Sequence, residues 1–175
     1  MEIKSFKTLP STNQKAKELS KKGAKPWTVI VAEEQSAGYG KEKVFWFSPK
    51  GGLYFSVILP KSQIQDLQTL TILVAFVVAK TLKEKFSLEP LIKLPNDVRL
   101  GKKKVAGILT ENIIGRSLKL SVMGVGLNTN IDKFPRDLEN GATSLKIELG
   151  KEVDNQKILE EIVSGIKEQL STISQ

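Results

Sequence analysis

Lysine, asparagine and aspartate crowd into Lys93-Leu94-Pro95-Asn96-Asp97. A lysine at a strand end, beside Asn and Asp on a rigid turn, presents a cation, an amide and a carboxylate close together. Its ammonium donates three hydrogen bonds and is able to bridge a carboxylate and a phosphate. A second stretch, Gln35 to Trp46, contains Gly38-Tyr39-Gly40-Lys41-Glu42-Lys43. Its glycines let backbone N–H groups approach a phosphate, and its lysines add charge. It is neither a Walker loop nor GxGxxG, because Lys43 stands where the third glycine would be. Two further stretches, Ser11-Thr12-Asn13 and Gly124-Val125-Gly126-Leu127-Asn128, offer small hydrogen-bonding side chains and glycines against which a ligand can pack. Taken singly, each has a plainer use: a helix cap, a connection pinned by Trp46, a proline turn and a β-bulge.

Composition narrows the chemistry. The chain has 175 residues, 40% hydrophobic and 26% charged, which suits one domain with its own core. There is no cysteine and no histidine. Thiolate chemistry is excluded, as are the usual base near neutral pH and the commonest transition-metal ligands, so no protein-bound metal is expected. Net charge is +8, and 27 residues are basic, all lysine except Arg99, Arg116 and Arg136. That balance favours anionic partners. MEIKSFKTLP lacks the apolar run of a signal peptide, and Leu70 to Ala79 is too short to cross a bilayer. The cytoplasm is the expected location, with no membrane partner.

The elements that must position these residues read as follows. Ser11-Thr12-Asn13 opens a helix that Gly23 stops. Thr28 to Glu33 and Gly52 to Leu59 are apolar strands on either side of a long loop, Gln35 to Lys50. Ile64 to Phe86 is the main helix, too continuously apolar to lie on a surface. Pro90 to Leu94 is a short strand, and Val98 to Leu100 with Val105 to Ile114 reads as a hairpin. Gly115-Arg116 turns into an alternating strand from Ser117 to Gly124, and Gln156 to Leu170 is the last helix. The expected fold is α+β: a mixed, largely antiparallel sheet with helices packed on one side.

With all four stretches in order, the sequence resembles the biotin protein ligases. STN, VAEEQSAGYGKEKVFWFSPKGGLYFS, KLPND, KKVAGILTE and GVGLNTN match that family's signatures in order and approximate spacing, densely from Ile3 to Asn130. The resemblance implies a class II synthetase-like catalytic domain that joins biotin to ATP, giving biotinyl-5′-AMP and pyrophosphate. It then transfers biotin to a lysine of a biotin carboxyl carrier domain. ATP with Mg2+ is the implied cofactor, biotin the substrate, and a homodimer is the implied assembly. By position, Ser11, Thr12, Asn13, Gln35, Gly38, Gly107, Gly124 and Gly126 would meet biotin. Gly38, Tyr39, Gly40, Lys41, Trp46, Asn96, Lys104 and Asn128 would meet the nucleotide. Lys93, Asp97 and Lys41 would carry catalysis, Lys93 contacting first the biotin carboxylate and then the α-phosphate.

The departures from the family pattern are specific. Its loop usually reads GRGRxGR, whereas here Tyr39 and Lys41 replace both arginines of the GRGR core. Lysine lacks the bidentate fork of arginine. Leu94 replaces the usual tryptophan of KWPND. Residues 1–175 are expected to be one catalytic domain, with no N-terminal winged helix, hence no DNA partner, and no full C-terminal SH3-like barrel. Two other functions compete: a biotin-binding sensor or carrier-binding module that has lost ligation, and a ligase for another acyl group such as lipoate.

Overall fold

The computed structural model describes residues 2–60, 66–113 and 120–173. Seven strands form one sheet: β1 (Glu2–Leu9), β2 (Thr28–Gln35), β3 (Leu53–Pro60), β4 (Pro90–Lys93), β5 (Asp97–Leu100), β6 (Lys103–Ile113) and β7 (Leu120–Leu127). Their order is β1-β2-β3-β7-β6-β5-β4, and only the β1–β2 pair is parallel. Four helices are α1 (Thr12–Lys21), α2 (Leu67–Phe86), α3 (Leu145–Leu149) and α4 (Asn155–Ile173). The mixed, largely antiparallel sheet expected from the sequence is present.

Strand alternation divides the core in two. Phe55, Val57 and Leu59 of β3 and Met123, Val125 and Leu127 of β7 point to the face covered by α2 and α4. Ile58 and Val122, one step out of phase, point the other way, towards Ala16 of α1. The expectation that the helices lie on one side is therefore corrected: α1 packs on the opposite face. β3 is buried on both faces, which is why its sequence is continuously apolar rather than alternating. Fully burying a residue such as Phe55 or Ile58 contributes roughly 1.5–3 kcal/mol.

α2 begins at Asp66, whose carboxylate accepts from the backbone N–H groups of Gln68 and Thr69 at 3.0 and 2.9 Å. The expected start at Ile64 lies outside the described residues, as do the Gly115-Arg116 turn and the expected ends at Ile114 and Ser117. Two elements had no expectation. β1 carries charged residues along an edge and buries little, so its pairing with β2 leaves no apolar pattern. α3 is one short turn of helix, capped by the Ser144 hydroxyl and ended at Gly150 with φ 70°.

Candidate active site

On the α1 face of the sheet, beyond the helix, lies a cleft of about 400 Å3. Its floor is glycine. Gly107 of β6 pairs with Gly126 of β7, and Gly124 is the next residue on that face. A Cβ on Gly124 would stand 2.2 Å from Asn13 Oδ1, and one on Gly126 would stand 2.4 Å from Trp46 Nε1. These positions are glycine because side chains from α1 and from the loop lie directly on the strand backbone.

One end of the cleft is a buried polar network carried by the start of α1. Ser11 caps the helix, its hydroxyl accepting from Gln14 N at 3.5 Å. The backbone N–H and hydroxyl of Thr12 both donate to Gln35 Oε1, at 2.8 and 3.2 Å. Gln35 Nε2 donates to Ser48 Oγ at 2.9 Å, tying β2 to the far end of the loop. Ser56 Oγ lies 2.8 Å from Thr12 Oγ1 and 2.6 Å from Asn13 Oδ1. Asn13 Nδ2 donates to Glu111 Oε2 at 2.8 Å, and Lys17 Nζ holds the other oxygen at 2.6 Å. Burial pushes the Glu111 carboxyl up, but the bonds from Lys17, Asn13 and Tyr39 outweigh it and hold the group below its usual range.

The loop over the cleft is folded on itself. Tyr39 and Phe45 form a backbone bridge, Gly40 N donates to Val44 O at 2.8 Å, and Trp46 N donates to Gly38 O at 2.9 Å. Tyr39, Gly40, Lys41 and Trp46 line the cavity, while Gly38 is packed beneath, against Ser48. Burial and the charge of Glu111 push the Tyr39 phenol up to about 12, so it stays a donor at neutral pH. The indole of Trp46 lies across Gly107 and Gly126. Its Nε1, like Asn128 Oδ1, is a buried polar atom without a hydrogen-bond partner among the described residues, in a side chain that lines the cavity.

Lys104 is the cation at the other end. Its ammonium is 2.6 Å from Asp97 Oδ1 and 4.9 Å from the centre of the Trp46 ring. Its backbone is clamped as well: Lys104 N donates to Gly141 O at 2.8 Å, and Lys104 O accepts from Thr143 N at 3.0 Å. A β-bulge decides where it points. Val98 pairs with Ala106 but the next residue, Arg99, pairs with Lys104, so Val105 is extra. Val105 and Ala106 both enter the core, and Lys104 emerges on the same face as Gly107.

The remaining sequence candidates divide. Asn96 lines the cleft and Asn128 is held by its amide to Thr143 O at 3.0 Å. Asp97 is beside the cleft, engaged by Lys104 and, at 3.6 Å, by Arg99. Lys93 is not brought to the site: it ends β4 with an exposed side chain and is not among the cavity-lining residues. The lysines that do line the cleft are Lys104, two strands along, and Lys41 of the loop. Ser48, Ser56 and Glu111 were not singled out from the sequence. Glu111 had a signal, because it falls in phase with Gly107 and Leu109 along β6. Ser56, a hydroxyl opposite Gly124 in an otherwise apolar strand, had one too.

Three comparisons bear on this geometry. The chain matches the family described as Biotin/lipoate A/B protein ligase family over residues 5–128. It is 36% identical over 160 residues to the bifunctional ligase/repressor BirA of Bacillus subtilis (strain 168), covering 89% of this chain and 49% of that protein. It is 32% identical over 161 residues to the biotin–[acetyl-CoA-carboxylase] ligase of Paracoccus denitrificans, covering 86% of this chain and 65% of that protein. The chain thus spans about half the length of the BirA proteins it matches. Among solved structures, the biotin protein ligase from Aquifex aeolicus in complex with biotin and ATP superposes with a TM-score of 0.91 at 29% identity, over 99% of this chain and 72% of that one. The family match takes in every strand from β2 to β7 and the whole cleft floor, and the chain belongs to the biotin/lipoate A/B protein ligase family.

Proposed function

We propose that this domain makes biotinyl-5′-AMP from biotin and ATP and passes biotin to a lysine of a biotin carboxyl carrier protein. The observation that carries the reading is the single cleft with a neutral polar network at one end and a doubly clamped lysine at the other. Thr12, Asn13 and Gln35 suit the polar ring of biotin, and the glycine floor suits its thin hydrocarbon tail. The carboxylate then arrives at Lys104. In the first step a carboxylate oxygen bonds to the α-phosphorus as the α–β bond breaks and pyrophosphate leaves. Lys104 neutralises the oxygens that gather charge, and its fixed position avoids reorganisation during the step. In the second step a neutral carrier amine bonds to the acyl carbon, loses its proton and displaces AMP.

Asp97 is the positioning residue that aims Lys104, and Trp46 and Lys41 cover the nucleotide. Mg2+ enters with ATP as a substrate ion. Asp97 is already taken by Lys104 and Arg99, and no group of three metal-binding side chains is gathered among the described residues. The proposal includes a cytoplasmic homodimer joined through an open sheet edge. Among the described residues, no helix is long and apolar enough to cross a membrane.

Two substitutions test the assignment of the cation. Lys104→Ala is expected to slow biotinyl-AMP formation by about 10²–10³-fold, the usual loss on removing one charge-stabilising donor. Lys93→Ala is expected to stay close to wild type. The reverse pattern would return the role to Lys93. Lipoate offered in place of biotin should give no adenylate, and efficient activation of lipoate would change the substrate.

A further inference from the structure

One carboxylate oxygen serves two elements with different jobs. Glu111 Oε2 accepts from Asn13 Nδ2 at 2.8 Å and from Tyr39 OH at 3.1 Å. Asn13 belongs to α1 and reads the polar end of the cleft. Tyr39 belongs to the loop that roofs the other end. Lys17 pairs with the other oxygen, Oε1, at 2.6 Å. The loop half is stiffened as well: Lys43 Nζ stands 3.9 Å over the Tyr39 ring, and the Tyr39–Phe45 bridge closes the loop on itself.

We propose that Glu111 is a positioning residue that couples closure of the 38–46 loop to occupancy of the Asn13 end of the cleft, with Tyr39 as the loop's half of the contact. The inference rests on the biotin reading above for the identity of that ligand. A ligand that fixes Asn13 fixes Glu111, and Glu111 then holds Tyr39 and the loop. Coupling of this kind is reciprocal, so the closed loop raises affinity for the ligand by the same factor that the ligand raises closure. The loop half is specific to this chain: Tyr39 stands where the family pattern has arginine, and its phenol donates one directed bond to the Glu111 carboxylate.

The test uses trypsin, because Lys41 and Lys43 are exposed on the loop. Cleavage after these two residues is followed by mass spectrometry on the full chain, with and without saturating biotin. Calorimetry measures biotin affinity on the same samples. In wild type, biotin is expected to slow cleavage at Lys41 and Lys43 about tenfold, the factor expected for one hydrogen bond to a charged group. Tyr39→Phe and Glu111→Gln should lose most of that protection and bind biotin about tenfold more weakly. A merely structural role for either residue would speed cleavage equally with and without biotin, and so leave the ratio unchanged. If Glu111→Gln does not fold, Tyr39→Phe decides alone. Biotin protecting both variants as well as wild type overturns the coupling and leaves the functional reading standing. Wild-type protein that binds no biotin overturns both.

Discussion

Lys104 and Glu111 show how much of the site is set by single atoms. Lys104 is held at its backbone by the 141–143 segment and at its ammonium by Asp97, with the centre of the Trp46 ring 4.9 Å from the same ammonium. Glu111 is the matching anion, with all its bonds directed at α1 and the loop. Its titration gives a prediction. The folded-state carboxyl lies below its ordinary value of 4.5, so its contribution to stability is full above 4.5 and is lost as pH falls through the lowered folded value. In urea titrations, wild type should exceed Glu111→Gln by a constant margin near neutrality, and the margin should shrink as the pH drops below 4.5. A margin unchanged at about pH 3 would mean that Glu111 is not held ionised by its three donors. Ser11, Thr12, Asn13 and Gln35 were legible because the triplet and the glutamine keep the family's order and spacing. Lys104 was read as a nucleotide contact but not as the central cation. Plain alternation along β6 would aim it into the core beside Ala106 and Ile108, and only the bulge at Val105 turns it out.

The elements divide the work between the two faces of the sheet. α2 and α4 bury one face and hold the strands in register; α1 and the 38–46 loop build the cleft on the other. A cavity cut on the structural face should therefore cost stability and spare chemistry. Ile162 of α4 is fully buried in the α2–α4 core. Ile162→Ala is expected to lower unfolding free energy by about 2–5 kcal/mol in denaturant titration. Biotin affinity per folded molecule should stay within about twofold of wild type, as for sites without shared partners. A large loss of affinity would mean that the two faces are not independent. The strands with buried faces and the long helices were legible because burial imposes an apolar pattern. β1 was not, because an edge strand carrying Lys4 and Lys7 has nothing to hide. α3 was not, because five residues are too few to show a period. The side of the sheet on which α1 packs was also not legible, since it depends on the phase of β3 and β7 and not on the helix itself.

The whole molecule joins a basic surface, with a net charge of +8, to a cleft that ends in a lysine. Both features suit anionic substrates, and long-range attraction speeds their capture. The cleft is assembled from the start of α1, the loop after β2, strands β6 and β7 and the segment 134–142, so no single segment carries it, and the family resemblance needed five separated motifs to become specific. Tyr39 and Lys41 are two of the places where this chain leaves the family pattern, and both line the cleft from the loop after β2. The most direct measurement is biotin-dependent exchange of labelled pyrophosphate into ATP by the purified chain, which reports the first step alone and needs no carrier. Exchange that requires biotin and disappears in Lys104→Ala is the predicted result. No exchange from a folded chain that binds both biotin and ATP would contradict the account, and would make the cleft a binding site without a reaction.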